Sequence, residues 1–547
     1  MNKYYIYPTI ILFFLIFTAT KVISKEKEKR SHIQATNCNI QDTIYGTGLN
    51  NKLFIPPPKS FIRKTKSVSG ETKSKIIVNY IGFSEQAKTS FQYAVEIWEG
   101  LIASQDTIYI DAYWQGLGSG TLGNCGATSY LRLLETTANP STYYPVALAE
   151  KIANTNLNDR ESPDMVANFN KNVEWYYGLD GNTSIDKYDL VSVVLHEICH
   201  GLGFIGSFSK SDDLGAWGFG DNYPLAFDNY VVNRQTEYLI DTTKFPNPSE
   251  SLLDQLQGFQ LYFEGTSSKL VDPFGLPRLY APTTFNSGSS VYHLHERYNN
   301  TTNALMTYSR NMAEAIHTPG PITIGILSDI GWERINIDHK PLPDKEEIEE
   351  TEIIAEITGD LKYYSEKIFL HYSDDNVVFD SVNMELEENN NFKAIIEAPV
   401  SNQLIHYYIS AEDTLGRGYS LPGNAPSGTF SFYIGPDTIK PEINHYAYSF
   451  LLIGTETLDI VAEVKDNIGI EEVTLEYKIN GIAQTNIQLQ FDTTDNYTTQ
   501  LSLESFKLQE GDSIEYRIKA LDKAQNANFA CYPYDCNYHI IKIEGIP

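Results

Sequence analysis

Basic residues are scarce in this chain: 41 Lys plus Arg stand against 70 Asp plus Glu in 547 residues, a formal net charge of −29. Such a surface repels phosphate backbones and anionic headgroups, which excludes nucleic acid as a partner. Long apolar runs are also rare. The one present, Thr9-Ile-Ile-Leu-Phe-Phe-Leu-Ile-Phe-Thr18, follows Lys3 and precedes Val22 and Ser24 at the small-residue positions of a cleavage site. Residues 1–24 therefore read as a signal peptide, and Pro8 and Lys21 interrupt the run as a membrane span. With no second run, no membrane association beyond that segment is expected, and the protein reads as secreted, extracellular or periplasmic. Cysteine is sparse too: five residues cannot all pair in one chain. Cys199 reads as a small buried thiol, Cys531 and Cys536 as a clip around Tyr-Pro-Tyr-Asp, and Cys38 with Cys125 as a second disulfide or two independent thiols.

What is present is ordinary for folded protein, with 42% hydrophobic and 20% charged residues, enough to exclude a disordered chain. The length suggests about two to four domains. Residues 25–75, with Pro56-Pro57-Pro58 and scattered Lys and Arg, read as a pro-segment or linker outside any core. From 76 the texture is α/β. A β-branched run, Ile76-Ile-Val-Asn-Tyr80, is followed by Phe83, Ala87, Phe91, Ala94, Val95, Trp98, Leu101 and Ile102 at helical spacing, and then by the strand pattern Thr107-Ile-Tyr-Ile-Asp-Ala-Tyr113. Strand, helix and strand predict a crossover unit in a mixed sheet, within a unit spanning 76–338. Residues 339–350 form an acidic, Pro-bearing linker.

Beyond it, alternation at period two replaces helical periodicity, and two segments echo earlier ones. Ile405-His-Tyr-Tyr-Ile-Ser-Ala-Glu-Asp413 resembles Ile514-Glu-Tyr-Arg-Ile-Lys-Ala-Leu-Asp522, and Ile368-Phe-Leu-His-Tyr372 resembles Val473-Thr-Leu-Glu-Tyr477. The offsets, about 105–109 residues, match one small sandwich, so 351–436 and 437–547 read as tandem immunoglobulin-like or fibronectin-like β-sandwich modules. Without paired Cys and a buried Trp they are not antibody-type domains. Their expected role is stability, or docking to a surface or polymer.

The chemistry concentrates at His196-Glu-Ile-Cys-His200. Four residues apart on a helix, His196 and His200 are separated by a net rotation of about 40°, so one metal ion can meet both imidazoles. Glu197 beside them suits a general base that holds and deprotonates a water kept by zinc. Leu190 to Leu195 supplies an apolar helix before the motif, and Gly201 and Gly203 a flexible end after it.

The run His196-Glu-Ile-Cys-His-Gly-Leu-Gly-Phe204 resembles the metzincin zinc metallopeptidases, whose His-Glu-x-x-His-x-x-Gly-x-x-His motif it matches at His196, Glu197, His200 and Gly203. Position 206 is Gly where the ordinary pattern has the third histidine. Leishmanolysin-type metzincins place a long insertion there and carry a similar Gly-Leu-Gly-Phe run, and here Tyr292-His-Leu-His-Glu-Arg297 and Ala304-Leu-Met-Thr307 look like that family's third-ligand segment and Met-turn, with Met306 as its methionine. The likeness covers roughly 76–332. It implies an α+β catalytic domain with a mixed sheet and an active-site helix, one catalytic Zn²⁺, and a secreted endopeptidase acting on protein or peptide substrates with Glu197 as general base. Of eleven histidines, only His293, His295 and His317 lie in the right region outside the helix pair, and His317 follows Met306 whereas the family's third ligand precedes its Met-turn. The resemblance assigns His293, since a bulky apolar residue, Leu294, follows it; His295 is the alternative, and a downstream carboxylate such as Asp213 a further one. Tyr308 has the Met-to-Tyr spacing of astacin-like and serralysin-like relatives, which implies a phenol at the zinc. A cysteine thiolate can silence zinc in this family, which makes Cys38 a candidate. The rival reading is a non-catalytic adhesin or binding protein with a decayed peptidase domain, against which the intact Glu197 speaks.

Overall fold

The structure, a computed structural model, describes residues 33–36, 40–59, 61, 74–134, 136–159, 162–258, 260–492 and 496–545. The expected signal peptide, His32 and Cys38 lie outside them. Among the described residues no helix is long and apolar enough to cross a membrane.

The first unit is mixed α and β. Its elements are β1 (Asp42–Ile55), β2 (Lys75–Ile81), α1 (Glu85–Leu101), β3 (Thr107–Gln115), β4 (Thr121–Ala127), α2 (Val146–Ala153), β5 (Met165–Asn170), α3 (Leu190–Gly201), β6 (Ser309–Ile316) and α4 (Gly320–Leu327). Six strands make one sheet in the order β6-β1-β4-β5-β3-β2. β2, β3 and β5 are mutually parallel, β4 runs antiparallel to both β5 and β1, and β1 is parallel to β6. In β3 the alternation buries Ile108, Ile110 and Ala112. α1 starts where the Ser84 side chain accepts a hydrogen bond from the Ala87 amide at 3.3 Å. The face spaced at three and four residues, Ala87, Phe91, Ala94, Val95 and Trp98, is wholly buried. Burying Phe91 and Trp98 is worth on the order of 2–3 kcal/mol each. Trp98 also donates its indole N–H to the Leu195 carbonyl at 3.2 Å, tying α1 to α3.

Two expectations about linkers are corrected. Within 25–75, read as lying outside any core, Asp42–Ile55 is a strand inside the sheet with a partner on each side. Residues 339–350, read as a linker, pack along the next unit: Leu342 joins its core, and Lys345 bridges to Ile434. That unit begins earlier than expected, because Ile335–Asp338 pairs antiparallel with Thr351–Gly359.

The rest of the chain is two β-sandwiches. In the first, the sheet containing Thr351–Gly359 and Asn391–Ile396 faces the sheet containing Tyr363–Ser373, Gln403–Asp413 and Phe430–Ile434 over Ile353, Ile357, Leu370, Tyr407, Ile409 and Phe432. In the second, Thr457–Lys465 and Asn496–Ser502 face Ile470–Ile479, Ser513–Asp522 and His539–Glu544. The two echoed segments carry the same internal device. His339 Nδ1 donates to the Ile354 carbonyl at 2.7 Å and its Nε2 accepts from the Tyr407 hydroxyl at 2.9 Å. His445 Nδ1 donates to the Val461 carbonyl at 2.7 Å and its Nε2 accepts from the Tyr516 hydroxyl at 2.7 Å. Cys531 and Cys536 are disulfide-bonded. The first sandwich is fastened to the α/β unit by Arg417, which bonds Asp413 at 2.7 Å, Ser328 Oγ at 3.0 Å and Ser267 Oγ at 3.1 Å, and by the Lys151–Asp360 ion pair at 2.7 Å.

Candidate metal centre

All twelve residues of α3 are buried, which explains the near-continuous apolar run before the motif. Its first turn is over-determined. Asp189 Oδ2 accepts from the Ser192 amide at 2.9 Å and the Ser192 hydroxyl at 2.7 Å, and pairs with His317 Nε2 at 2.9 Å. The Ser192 oxygen in turn accepts from the Ile316 amide at 2.6 Å. His317 thus braces the start of α3 and stands at the opposite end from the motif. At that far end Gly203 adopts a left-handed φ of 116°, which reverses the chain so that the Phe204 carbonyl returns to the His200 ring.

Three imidazoles meet here. His196 Nε2 lies 3.1 Å from His200 Nε2 and 3.2 Å from His293 Nε2. The opposite ring nitrogens all reach backbone carbonyls: His196 Nδ1 to Leu305 at 2.7 Å, His200 Nδ1 to Phe204 at 2.7 Å, and His293 Nδ1 to Ser289 at 3.0 Å. A carbonyl only accepts, so each Nδ1 carries the proton and each Nε2 turns a lone pair inward. Three lone pairs at this separation repel unless a cation lies among them, and outward hydrogen bonds of this kind are what orient metal-ligating histidines. Among the described residues His196, His200 and His293 form the one convergent group of imidazoles. Burial holds all three in the neutral form, pushing His200 down to about 4 and His196 and His293 well below the usual range.

The loop that delivers His293 is pinned on both sides. The Tyr280 amide donates to the His293 carbonyl at 2.8 Å, and the Leu294 amide donates to the Met306 carbonyl at 2.7 Å. Met306, fully buried, closes the short 3-10 turn Ala304–Met306, whose Leu305 carbonyl holds His196. Arg310, also buried, caps the same turn through the Ala304 carbonyl at 2.8 Å and the Leu305 carbonyl. Glu197 is fully buried, and neither carboxylate oxygen has a hydrogen-bond partner of normal geometry. Burial, and then the neighbouring Asp42 carboxylate, push its pKa well above the usual carboxylate range, while the Ile44 amide pulls the other way. Asp42 was missed in the sequence because it falls in the segment read as a linker. Its Oδ2 lies 3.7 Å from His293 Nδ1 and 3.9 Å from His200 Nδ1.

Other sequence candidates fall elsewhere. His295, the alternative third ligand, instead caps the 3-10 turn Glu296–Tyr298. His295 is half-buried and its Nδ1 accepts from the Arg297 amide at 3.0 Å. Asp213 is exposed at the tip of the Ser209–Ala216 hairpin. Tyr308, expected with its phenol at the zinc, stacks on Tyr280 with ring centroids 4.2 Å apart. Cys199 and Cys125 are free and buried. Position 206 is crowded: a Cβ there would come within 2.0 Å of Asp228 Oδ1 and 2.4 Å of the Tyr292 ring, so a side chain would force one of them to move.

A family model described as SPBPB7E8-like matches residues 115–267, a stretch that includes His196 and His200 but not His293. No curated protein matches. Among solved structures, a chimeric titin Z1Z2 carrying an exogenous decorin peptide is 13% identical over 39% of this chain and 97% of its own, with a TM-score of 0.19. A 1.5-MDa bacterial ice-binding adhesin is 10% identical over 39% of this chain and 65% of its own, with a TM-score of 0.16. Tandem Ig repeats of Dlar are 10% identical over 39% of this chain and 100% of their own, with a TM-score of 0.14. At these scores none of the three carries an argument about fold or function.

Proposed function

We propose that the chain is a secreted zinc-dependent endopeptidase whose α/β unit is a leishmanolysin-like metzincin domain and whose two sandwiches are immunoglobulin-like or fibronectin-like modules that stabilise or dock it. The reading is carried by one observation: the Nε2 atoms of His196, His200 and His293 converge within 3.2 Å of His196, with Glu197 on the same helix. Three imidazoles and no carboxylate among the donors suit a borderline-soft divalent ion such as zinc. Zinc, when bound, supplies a Lewis acid toward a carbonyl oxygen.

The chain's own residues supply the rest. The Leu305, Phe204 and Ser289 carbonyls fix the tautomer of each imidazole, so the donor set is preorganised. Glu197 takes the proton of an attacking water and returns it to the leaving amine. The Cys531–Cys536 bond suits an oxidising compartment outside the cytoplasm. The rival reading, a binding protein with a decayed peptidase domain, is favoured by the complete burial of His196, Glu197, His200 and His293. It leaves Glu197 without a reason, because a binding scaffold gains nothing from a buried, unpaired carboxylate.

The test is digestion of denatured casein by the purified protein, with and without a chelator, beside Glu197→Ala. Hydrolysis should be chelator-sensitive, and the variant should keep its zinc while losing about a hundredfold in turnover. Undiminished hydrolysis by Glu197→Ala would sink the mechanism.

A further inference from the structure

The seam between the two sandwiches gathers acid. Asp437 stands in the segment that joins them, after Phe430–Ile434 and before Glu442–His445. Asp466 opens the turn after Thr457–Lys465, and Asp522 ends Ser513–Asp522. Each of the three offers a carboxylate oxygen, and these oxygens lie within 4.8 Å of one another. Asp437 and Asp522 are only 7% and 1% exposed, so solvent screens their repulsion poorly. The partners they have are neutral. Asn528 Nδ2 donates to Asp522 at 2.8 Å and to Asp437 at 3.2 Å, Asn467 Nδ2 donates to Asp437 at 3.0 Å, and the Ile468 amide donates to Asp466 Oδ1 at 2.9 Å. Among the described residues no ion pair reaches any of the three carboxylates.

We propose that Asp437, Asp466 and Asp522 bind one divalent cation, calcium, which locks the joint between the two sandwiches.

Two independent observations carry this beyond a mere acidic cluster. One is an orphan: Asp466 Oδ2 is wholly buried with no hydrogen-bond partner, and so is Asn467 Oδ1 beside it. A buried carboxylate oxygen among like charges is costly unless a positive ion meets it. Burial, and then the Asp437 and Asp522 charges, push Asp466 above the usual carboxylate range, against the pull of the Ile468 amide. The other observation comes from the repeat. Asp413 ends the echoed strand of the first sandwich as Asp522 ends that of the second, and there Arg417 neutralises it at 2.7 Å. Asp360 opens the turn after Thr351–Gly359 as Asp466 does after Thr457–Lys465, and Lys151 neutralises it at 2.7 Å. The second sandwich keeps both carboxylates, adds Asp437, and pairs none of them with a base.

All the donors are oxygen, which selects a hard ion over zinc. Their spread of 4.8 Å is about twice a calcium–oxygen distance, so one ion can meet all three. The joint is already drawn together around them. Asp344, on the segment packed along the first sandwich, accepts from Asn467 Nδ2 at 3.0 Å and from the Tyr433 amide at 2.6 Å. Glu346 accepts from the Asp437 amide at 3.0 Å and the Gln525 amide at 2.6 Å. An ion at this point fixes the angle between the modules. Calcium here does not depend on what the histidine cluster does.

The experiment takes the full chain purified in calcium-free buffer and follows hydrogen exchange of the amides in 466–470 and 522–528, several of which donate to these carboxylates. Adding about 10 mM CaCl2 should slow that exchange about tenfold, the effect of a Kd of about 1 mM, within the range of extracellular calcium modules. The same concentration of MgCl2 should do much less. Equilibrium dialysis against radioactive calcium should find one equivalent fewer in Asp466→Asn than in the parent. That variant keeps an acceptor for the Ile468 amide and removes a charge, so without calcium it should exchange no faster than the parent while losing the response. Asp437→Asn, on a different segment, is the second variant and should lose the response too. Parental exchange unmoved by calcium, an equal response to magnesium, or a full calcium response in either variant would overturn the site.

Discussion

His196 Nε2 and His293 Nε2 lie 3.2 Å apart across 97 positions of sequence. His295, two residues further along, turns away to cap the next 3-10 turn. His293→Ala should therefore bind less than about a tenth of the zinc of the parent, as expected for losing one of three ligands, whereas His295→Ala should keep nearly all of it. Metal analysis of the two purified variants checks this, and an empty His295→Ala beside a loaded His293→Ala would reverse the assignment.

Asp228 and Tyr292 fill the space that a side chain at position 206 would need. Asp228 cannot yield easily, since it accepts from the Ser207 amide at 2.9 Å and the Leu225 amide at 3.0 Å. Gly206→Ala should cost about 1–3 kcal/mol through overpacking. Urea unfolding should show a lower midpoint with unchanged m-value; an unchanged midpoint would mean that the loop gives way freely.

Glu150 is pushed up to about 8, first by burial and then by the nearby Asp164 carboxylate, itself raised by burial to about 6. A folded pKa above the ordinary 4.5 means the folded state binds more protons, so this stability is full below about pH 4.5 and is lost as pH rises through about 8. Glu150→Gln keeps an acceptor for the Leu157 amide, now bonded at 2.8 Å, and cannot ionise. The variant should be more stable than the parent by on the order of 1–2 kcal/mol near pH 8 and show no advantage at pH 4.5. Denaturant midpoints at the two pH values decide it.

Arg417 neutralises the fully buried Asp413 side chain and reaches across to Ser267 and Ser328 of the α/β unit. Arg417→Met fills similar space but strands that carboxylate, so a loss of about 3 kcal/mol is expected. The first sandwich should then unfold before the α/β unit in a thermal scan followed by limited proteolysis. A single shared transition at the parental temperature would count against the docking role.

The α3 site could be read from spacing because a helix converts an interval of four residues into one face, and the covered face of α1 was legible for the same reason. The sandwiches declared themselves through alternation, and their repeat is visible as the matched His339–Tyr407 and His445–Tyr516 pairs. β1 was not legible. A strand held by partners far along the chain leaves no local period, and Pro56-Pro57-Pro58 beside it has the texture of a linker. The different directions of His293 and His295 were hidden likewise, because they depend on Leu294 being pinned to the Met306 carbonyl. Tyr308 matched a spacing, but its ring is taken up by stacking on Tyr280.

The pairing of β1 with β6 also bears on the order in which the molecule can be made. Asn51 bonds Glu314 at 3.1 Å across 263 positions, so on the ribosome β1 waits for β6 while most of the α/β unit is synthesised. At typical elongation rates of about 5–20 residues per second that interval lasts on the order of ten seconds or more. During it the nascent sheet lacks its last strand and carries an unpaired edge open to strands of other chains. Exposed Thr47, Asn50 and Lys52 put polar side chains along that edge, where they oppose edge-to-edge pairing while the sheet waits to close.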